Sequence, residues 1–203
     1  MAVNTIRREI YVINGMPMQY KTEPDRRIWF SMWFLASIAT FGVGFFLMFY
    51  KLIKSRNNHF RREANLENQI LGFLRAQGKE PPATAGEPHD MNAKMLAGSI
   101  VLIIPAFIIV YYLSRDLRNH EKHQDMFLSR AFSERMFMTQ TIPIKKYVLI
   151  TLFTLGVGGI YWLYKIINLY NAHFKAQTEV EKEVFRLMEE KKSWQARVKK
   201  SDL

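Results

Sequence analysis

The chain has 203 residues, 49% of them hydrophobic, yet its formal net charge is +11 and its mean hydropathy is slightly negative. Such values coexist only when apolar and charged residues are segregated into blocks. The absence of cysteine excludes a disulfide framework, a thiolate nucleophile and a cysteine-ligated metal.

Residues 1–27 form a polar segment. Its opening "MAVNTIRREIYV" lacks the apolar core of a signal peptide, so the first apolar block is expected to direct insertion itself. Within it, "EIYVINGMPMQYK" sets two short apolar runs around Asn14-Gly15, a hairpin signal that Pro17 weakens.

Three apolar blocks follow. Trp29 to Tyr50 is 22 residues without a charge, Met95 to Leu113 is 19, and Tyr147 to Tyr164 is 18. At about 1.5 Å per residue each reaches roughly 27–36 Å as one helix, enough for a hydrocarbon core of about 30 Å. The expectation is an all-α membrane protein with three transmembrane helices, each continued by a long charged helix. Five segments result: the polar residues 1–27, the first span and tail at 28–77, a Pro/Gly-rich linker at 78–94, the second span and tail at 95–140, and the third at 141–203. Each block carries a breaker near its centre: Gly42 and Gly44, Pro105, then Gly156, Gly158 and Gly159. Close helix packing at small residues explains the glycines if the blocks span. Re-entrant hairpins are the alternative, but their arms reach only about 15 Å and the exposed turn needs its backbone groups covered. Spanning is the expectation, and it sets successive tails on opposite faces.

The first and third blocks belong to an internal repeat. "TFGVGFFLMFYKLIKSRNNHF" (40–60) and "TLGVGGIYWLYKIINLYNAHF" (154–174) match at ten of 21 positions at a constant offset of 114. Beyond the phrase, Ile166, Tyr170, His173, Gln177, Val180, Val184, Leu187, Lys191, Trp194 and Val198 alternate steps of four and three, a heptad seam with polar interruptions. The first copy gives Leu52, Arg56, His59, Glu63, Leu66, Ile70, Phe73 and Gln77. A fainter middle copy gives Leu113, Leu117, His120, Gln124, Phe127 and Ala131. The tails of the first and third copies are expected to pair as a short parallel coiled coil.

The phrase from Thr154 to Lys165, T-L-G-V-G-G-I-Y-W-L-Y-K, resembles the "T-L-G-I-Y-G-I-Y-W-L-Y-K" signature of a family of small bacterial and archaeal membrane proteins of unknown function. Gly158 stands where that family usually has tyrosine. The resemblance implies an integral membrane protein and carries no activity.

The aromatic and lysine cluster closing each repeat phrase (Tyr50 and Lys51; Tyr161, Trp162, Tyr164 and Lys165) reads as an interfacial belt with snorkelling lysines. Asn57 and Asn171 read as interfacial hydrogen-bonding groups. His59, His120 and His173 share one register, and three imidazoles could hold a divalent metal if brought together. Antiparallel spanning keeps His120 apart, so no metal ligand, cofactor or catalytic residue is assigned, and the histidines read as polar seam positions that fix register. No Asp, Glu, Arg or His lies inside the blocks, which argues against a proton relay or intramembrane hydrolase. No phosphate loop or metalloprotease motif occurs.

A non-enzymatic scaffold, anchor or assembly subunit of the cell membrane is the resulting expectation. Its partners would be anionic headgroups and a protein or second copy engaged through spans and tails, with no nucleic acid. The basic residues lean toward a cytoplasmic C-terminus, with 17 Lys and Arg on one side against 12 on the other. Alternatives are a small oligomeric transporter or channel component, and a metal- or pH-responsive membrane protein acting through the three histidines.

Overall fold

A computed structural model describes residues 9–13, 16–20, 25, 27–84, 89–100, 104–133 and 141–201. Its elements in chain order are β1 (Glu9–Ile13), β2 (Met16–Tyr20), α1 (Phe30–Ala39), α2 (Val43–Ala76), α3 (Ala93–Ser99), α4 (Ile104–Phe132), α5 (Ile144–Phe153) and α6 (Val157–Ser201). The strands pair antiparallel from Glu9↔Tyr20 to Ile13↔Met16; the Asn14-Gly15 turn lies outside the described residues. The chain is therefore predominantly helical, but the three continuous spans do not form. Each apolar block is divided between a short arm (α1, α3 or α5) and the start of a long helix (α2, α4 or α6). Among the described residues, no helix is long and apolar enough to cross a membrane.

The repeated phrase Thr-x-Gly-Val-Gly is the reason the blocks bend. Phe41 and Leu155 adopt φ of 49° and 48°, and Gly42 and Gly156 both adopt 96°. Two successive left-handed residues reverse the chain; the glycine accepts this freely, while the apolar residue before it is strained by about 1–2 kcal/mol. The turn closes its own hydrogen bonds. Gly42 N donates to Ser37 O at 2.7 Å and Thr40 N to Ala36 O at 3.0 Å; in the second copy Gly156 N donates to Thr151 O at 2.8 Å and Thr154 N to Ile150 O at 3.0 Å. The threonine hydroxyl then accepts from the first turn of the long helix, Gly44 N to Thr40 at 3.0 Å and Gly158 N to Thr154 at 2.7 Å. The objection that such a turn needs external cover is thus met by the motif itself.

The glycines divide by role. Gly42 and Gly156 are turn residues; nothing lies within 4 Å of a Cβ placed on Gly42, whereas one on Gly156 would lie 3.2 Å from the Phe107 ring on α4. At Gly44 a Cβ would lie 2.6 Å from Ser37 N, and at Gly158 it would lie 2.9 Å from the Ile150 carbonyl. These two let the arms of one hairpin touch, so their packing is within a hairpin and not between spans. Gly159, with Gly156, makes a contact between hairpins, and its Cβ would overlap the Phe107 ring on α4. The middle hairpin lacks the motif; residues 101–103, between α3 and α4, lie outside the described residues.

Folding each block back on itself places the three tails on one side, and α2, α4 and α6 form a parallel three-helix bundle. The seam residues from Leu52 to Phe73, Leu113 to Ala131 and Ile166 to Leu187 are buried in it, apart from the half-buried His120. The expected two-stranded coiled coil is replaced because α4 supplies a third seam in the same register. A lower core joins Leu52, Leu113 and Ile166 with the hairpin arms, and an upper core joins Leu66, Ile70, Phe127, Val180 and Val184. The seam ends before Trp194, which is exposed; Lys191 lies over the Phe132 ring, and the side chain of Val198 lies outside the described residues.

Two repeat-equivalent asparagines link the third hairpin to the first and the first to the second. Asn171 on α6 accepts from Ile28 N (3.0 Å) and donates to Ile28 O (2.8 Å), holding the backbone just before α1. Asn57 on α2 does the same to Met91, just before α3, at 3.2 and 2.7 Å. Their role is to clamp the backbone.

Candidate functional site

Between the two apolar cores the bundle carries two polar layers. The lower one is a histidine centre. His59, His120 and His173 each lie sixteen residues beyond the first residue of α2, α4 and α6, which sets them at one height in a parallel bundle. Their ring centroids are 5.3, 4.9 and 5.2 Å apart with interplanar angles of 78°, 79° and 76°, a near three-fold arrangement. One ligand atom from each ring falls within 4.8 Å of the others. The separation expected of His120 from antiparallel spans is thereby corrected.

Carboxylates stand behind two of the rings. His59 Nδ1 lies 2.7 Å from Asp25 Oδ2, and His173 Nδ1 lies 3.3 Å from Glu121 Oε1. Asp25 is held in turn by Arg62, at 3.0 and 2.8 Å, and the Arg62 Nε donates to Glu181 at 3.2 Å. Burial alone would raise the Asp25 pKa, but the His59 hydrogen bond and charge and the Arg62 guanidinium hold it below its ordinary value. Burial also drives His59 down to about 4; the Asp25 hydrogen bond opposes this, while His173 and Arg62 reinforce it. His120 is well below the ordinary value, through burial and then the charges of His59, His173, His123 and Arg56. Both rings are therefore neutral at neutral pH.

With an ionised Asp25 accepting from Nδ1, His59 turns its Nε2 lone pair toward the centre, where His173 Nε2 lies 3.0 Å away. His173 is thus flanked on both ring nitrogens, by Glu121 Oε1 at Nδ1 and by His59 Nε2 at Nε2. The third ring stacks on Phe60 at 4.4 Å, and its Nε2 is shut off from solvent without a hydrogen-bond partner among the described residues.

One step further along the seam, Glu63, Gln124 and Gln177 form the second polar layer. Gln124 donates to Glu63 at 2.6 Å and also to Gln177, which donates to the other Glu63 oxygen. Burial raises the Glu63 pKa, as do the charges of Glu181 and Glu67; Arg62 and the Gln124 hydrogen bond oppose them, and the result is about 8.

The belt residues are not all at a rim. Lys51 lies 4.6 Å over the Trp33 ring, and Lys165 lies 5.4 and 5.8 Å from the Tyr161 and Tyr164 rings, both half-exposed. Trp162 is instead buried, its Nε1 donating to Ser114 Oγ at 3.0 Å. A partly exposed Tyr112 with Arg115 at 5.1 Å supplies the corresponding pair on α4, which the sequence reading did not single out. It also missed Asp25 and Glu121. Glu121 sits directly after His120 and could have been noticed as a carboxylate beside a seam histidine; Asp25 lies in an irregular stretch with no periodic signal.

No protein-family model, curated protein or solved structure matches the chain.

Proposed function

We propose that the protein is a non-enzymatic membrane anchor and assembly scaffold, seated in one leaflet by three helical hairpins, with the parallel bundle standing above the headgroups. The observation that carries this reading is the state of the hairpin tips. Phe41 and Leu155 are 99% and 96% exposed although each is apolar and sits in a backbone conformation that favours glycine or asparagine. Water gives no reason to keep a strained, exposed phenylalanine or leucine there, whereas hydrocarbon does.

The dimensions agree with a single leaflet. The cation–aromatic pairs lie between eight and eleven residues beyond the first residues of the long helices, from Lys51 to Lys54 on α2, Tyr112 to Arg115 on α4, and at Lys165 on α6. At about 1.5 Å per residue this is roughly 12–16 Å from the tips, matching half of a 30 Å hydrocarbon core. Lysine and arginine at that height meet anionic headgroups. Exposed Leu35, Ile38, Leu152 and Phe153 cover the arms below it, and the internally closed turns leave few backbone groups to solvate.

The test is a cysteine introduced at Leu155 carrying an environment-sensitive fluorophore, with a second at Arg75 as control. Adding vesicles with anionic lipid should shift the Leu155 emission to the blue and expose it to lipid-borne quenchers, leaving Arg75 unchanged. A Leu155 probe that stays in a water-like environment while the protein floats with vesicles would refute insertion of the tips.

A further inference from the structure

We propose that His59, His120 and His173 bind one divalent first-row transition ion of the zinc class, which ties α2, α4 and α6 together at a single level of the bundle. The proposal rests on the geometry of the bundle and is independent of where the hairpins lie.

Three features of the site point to a cation. The first is the close approach of two ring nitrogens at the centre of the bundle, His59 Nε2 and His173 Nε2, which face each other at 3.0 Å. An ion held between them would be bound by both Nε2 atoms, with Asp25 2.7 Å from the far nitrogen of His59 and Glu121 3.3 Å from that of His173. The second is the carboxylate–histidine pairing itself. Asp25 and Glu121 stand where outer-shell carboxylates orient metal-bound imidazoles and raise their basicity. The third is His120 Nε2, excluded from solvent and lacking a hydrogen-bond partner among the described residues. A buried nitrogen left in that state is expensive unless something binds it.

The dimensions suit such an ion. Zinc–nitrogen bonds of about 2.0–2.1 Å at tetrahedral angles set nitrogens roughly 3.3 Å apart. The Nε2 atoms of His59 and His173 are within a few tenths of an ångström of that, and all three rings offer an atom within 4.8 Å of the others. Side-chain rotation of His120 closes the remainder. Imidazole donors suit Zn2+, Cu2+, Ni2+ and Fe2+ and disfavour Mg2+ and Ca2+. Three protein ligands leave a fourth position for water.

The experiment is titration of the metal-stripped full-length protein in detergent with Zn2+ by calorimetry, and with Co2+ by visible absorption. One ion per chain is expected, with Zn2+ displacing Co2+ and raising the thermal midpoint. His120→Phe keeps the stacking on Phe60 and removes one ligand; it should weaken Zn2+ binding by more than about a hundredfold while the helical circular dichroism persists, exceeding the outer-shell range. Asp25→Asn leaves all three ligands and should weaken binding by about tenfold to a hundredfold. If His120→Phe does not fold, Asp25→Asn decides on its own. Absence of stoichiometric binding in the unmodified protein would overturn the proposal. So would binding that neither variant weakens, which would assign the ion to surface groups such as His89 or His123.

Discussion

Replacing Glu63 by glutamine should make the protein more stable at neutral pH, by an amount that grows with pH. Glu63 is buried in the layer above the histidines, against Gln124 on α4 and Gln177 on α6, with Arg62 and Glu67 on its own helix and Glu181 on α6. Its pKa is raised from 4.5 to about 8. The folded carboxyl therefore keeps a proton that the unfolded chain releases above about pH 4.5. Its favourable contribution is complete below that value and is lost progressively as pH rises toward 8. At pH 7 the gap of about 2.5 units corresponds to roughly 3 kcal/mol, at 1.36 kcal/mol per unit. Glutamine removes this dependence, although it turns one of the two accepting oxygens of residue 63 into a donor facing the amide of Gln124 or Gln177, which offsets part of the gain. A gain of about 1–3 kcal/mol is expected at pH 7.5, or roughly 2–12 °C in the thermal midpoint for a chain of this size. Thermal unfolding of both proteins in the same detergent from pH 5 to pH 8 measures it. A difference between variant and parent that is flat across that range, or that favours the parent at pH 7.5, would refute the assignment of a neutral, strained Glu63.

Gly158→Ala should lower the thermal midpoint, because the added Cβ meets the Ile150 side chain at 2.7 Å and its carbonyl at 2.9 Å; overpacking of this kind costs about 1–3 kcal/mol. Gly156→Leu should destabilise for another reason, its φ of 96° with Phe107 only 3.2 Å from the new Cβ, and unchanged melting of both variants would show that the hairpin is not the stable form. Asn171→Ala should release the backbone before α1 by removing both hydrogen bonds to Ile28, and hydrogen exchange at Ile28 and Trp29 should rise while the amides around Ile70 stay protected.

Periodicity made the bundle legible. The four-three spacing identified nearly every residue that lines the seam, because a heptad pattern reports directly which face of a helix is covered. The register of the three histidines followed from the same pattern. The bend of the apolar blocks did not. Twenty-two apolar residues fit one span of about 33 Å or two arms and a turn equally well by length, and the decision lies in local hydrogen bonding. Thr40 and Thr154 satisfy the amides of Gly44 and Gly158, so the turn needs no outside partner. Reading the blocks as spans sets His120 on the face opposite His59 and His173, so the convergence of the three imidazoles is not legible from the spacing. Trp162 was assigned to a belt by residue type, yet its position on α6 faces α4 and Ser114. Asp25 reaches His59 across 34 residues of chain, a pairing no spacing rule encodes.

The side of the membrane on which the three tails lie tests the account most directly. The chain has no cysteine, so single cysteines at Arg75 near the end of α2, Arg130 near the end of α4 and Lys192 on α6 can be labelled one at a time in sealed, uniformly oriented vesicles with a membrane-impermeant reagent. Hairpins seated in one leaflet predict that all three label together, or that all three are protected together and label only after permeabilisation. Labelling of Arg130 from the side opposite to Arg75 and Lys192 would mean that the blocks cross the bilayer, and would contradict both the hairpins and the convergence of the three histidines.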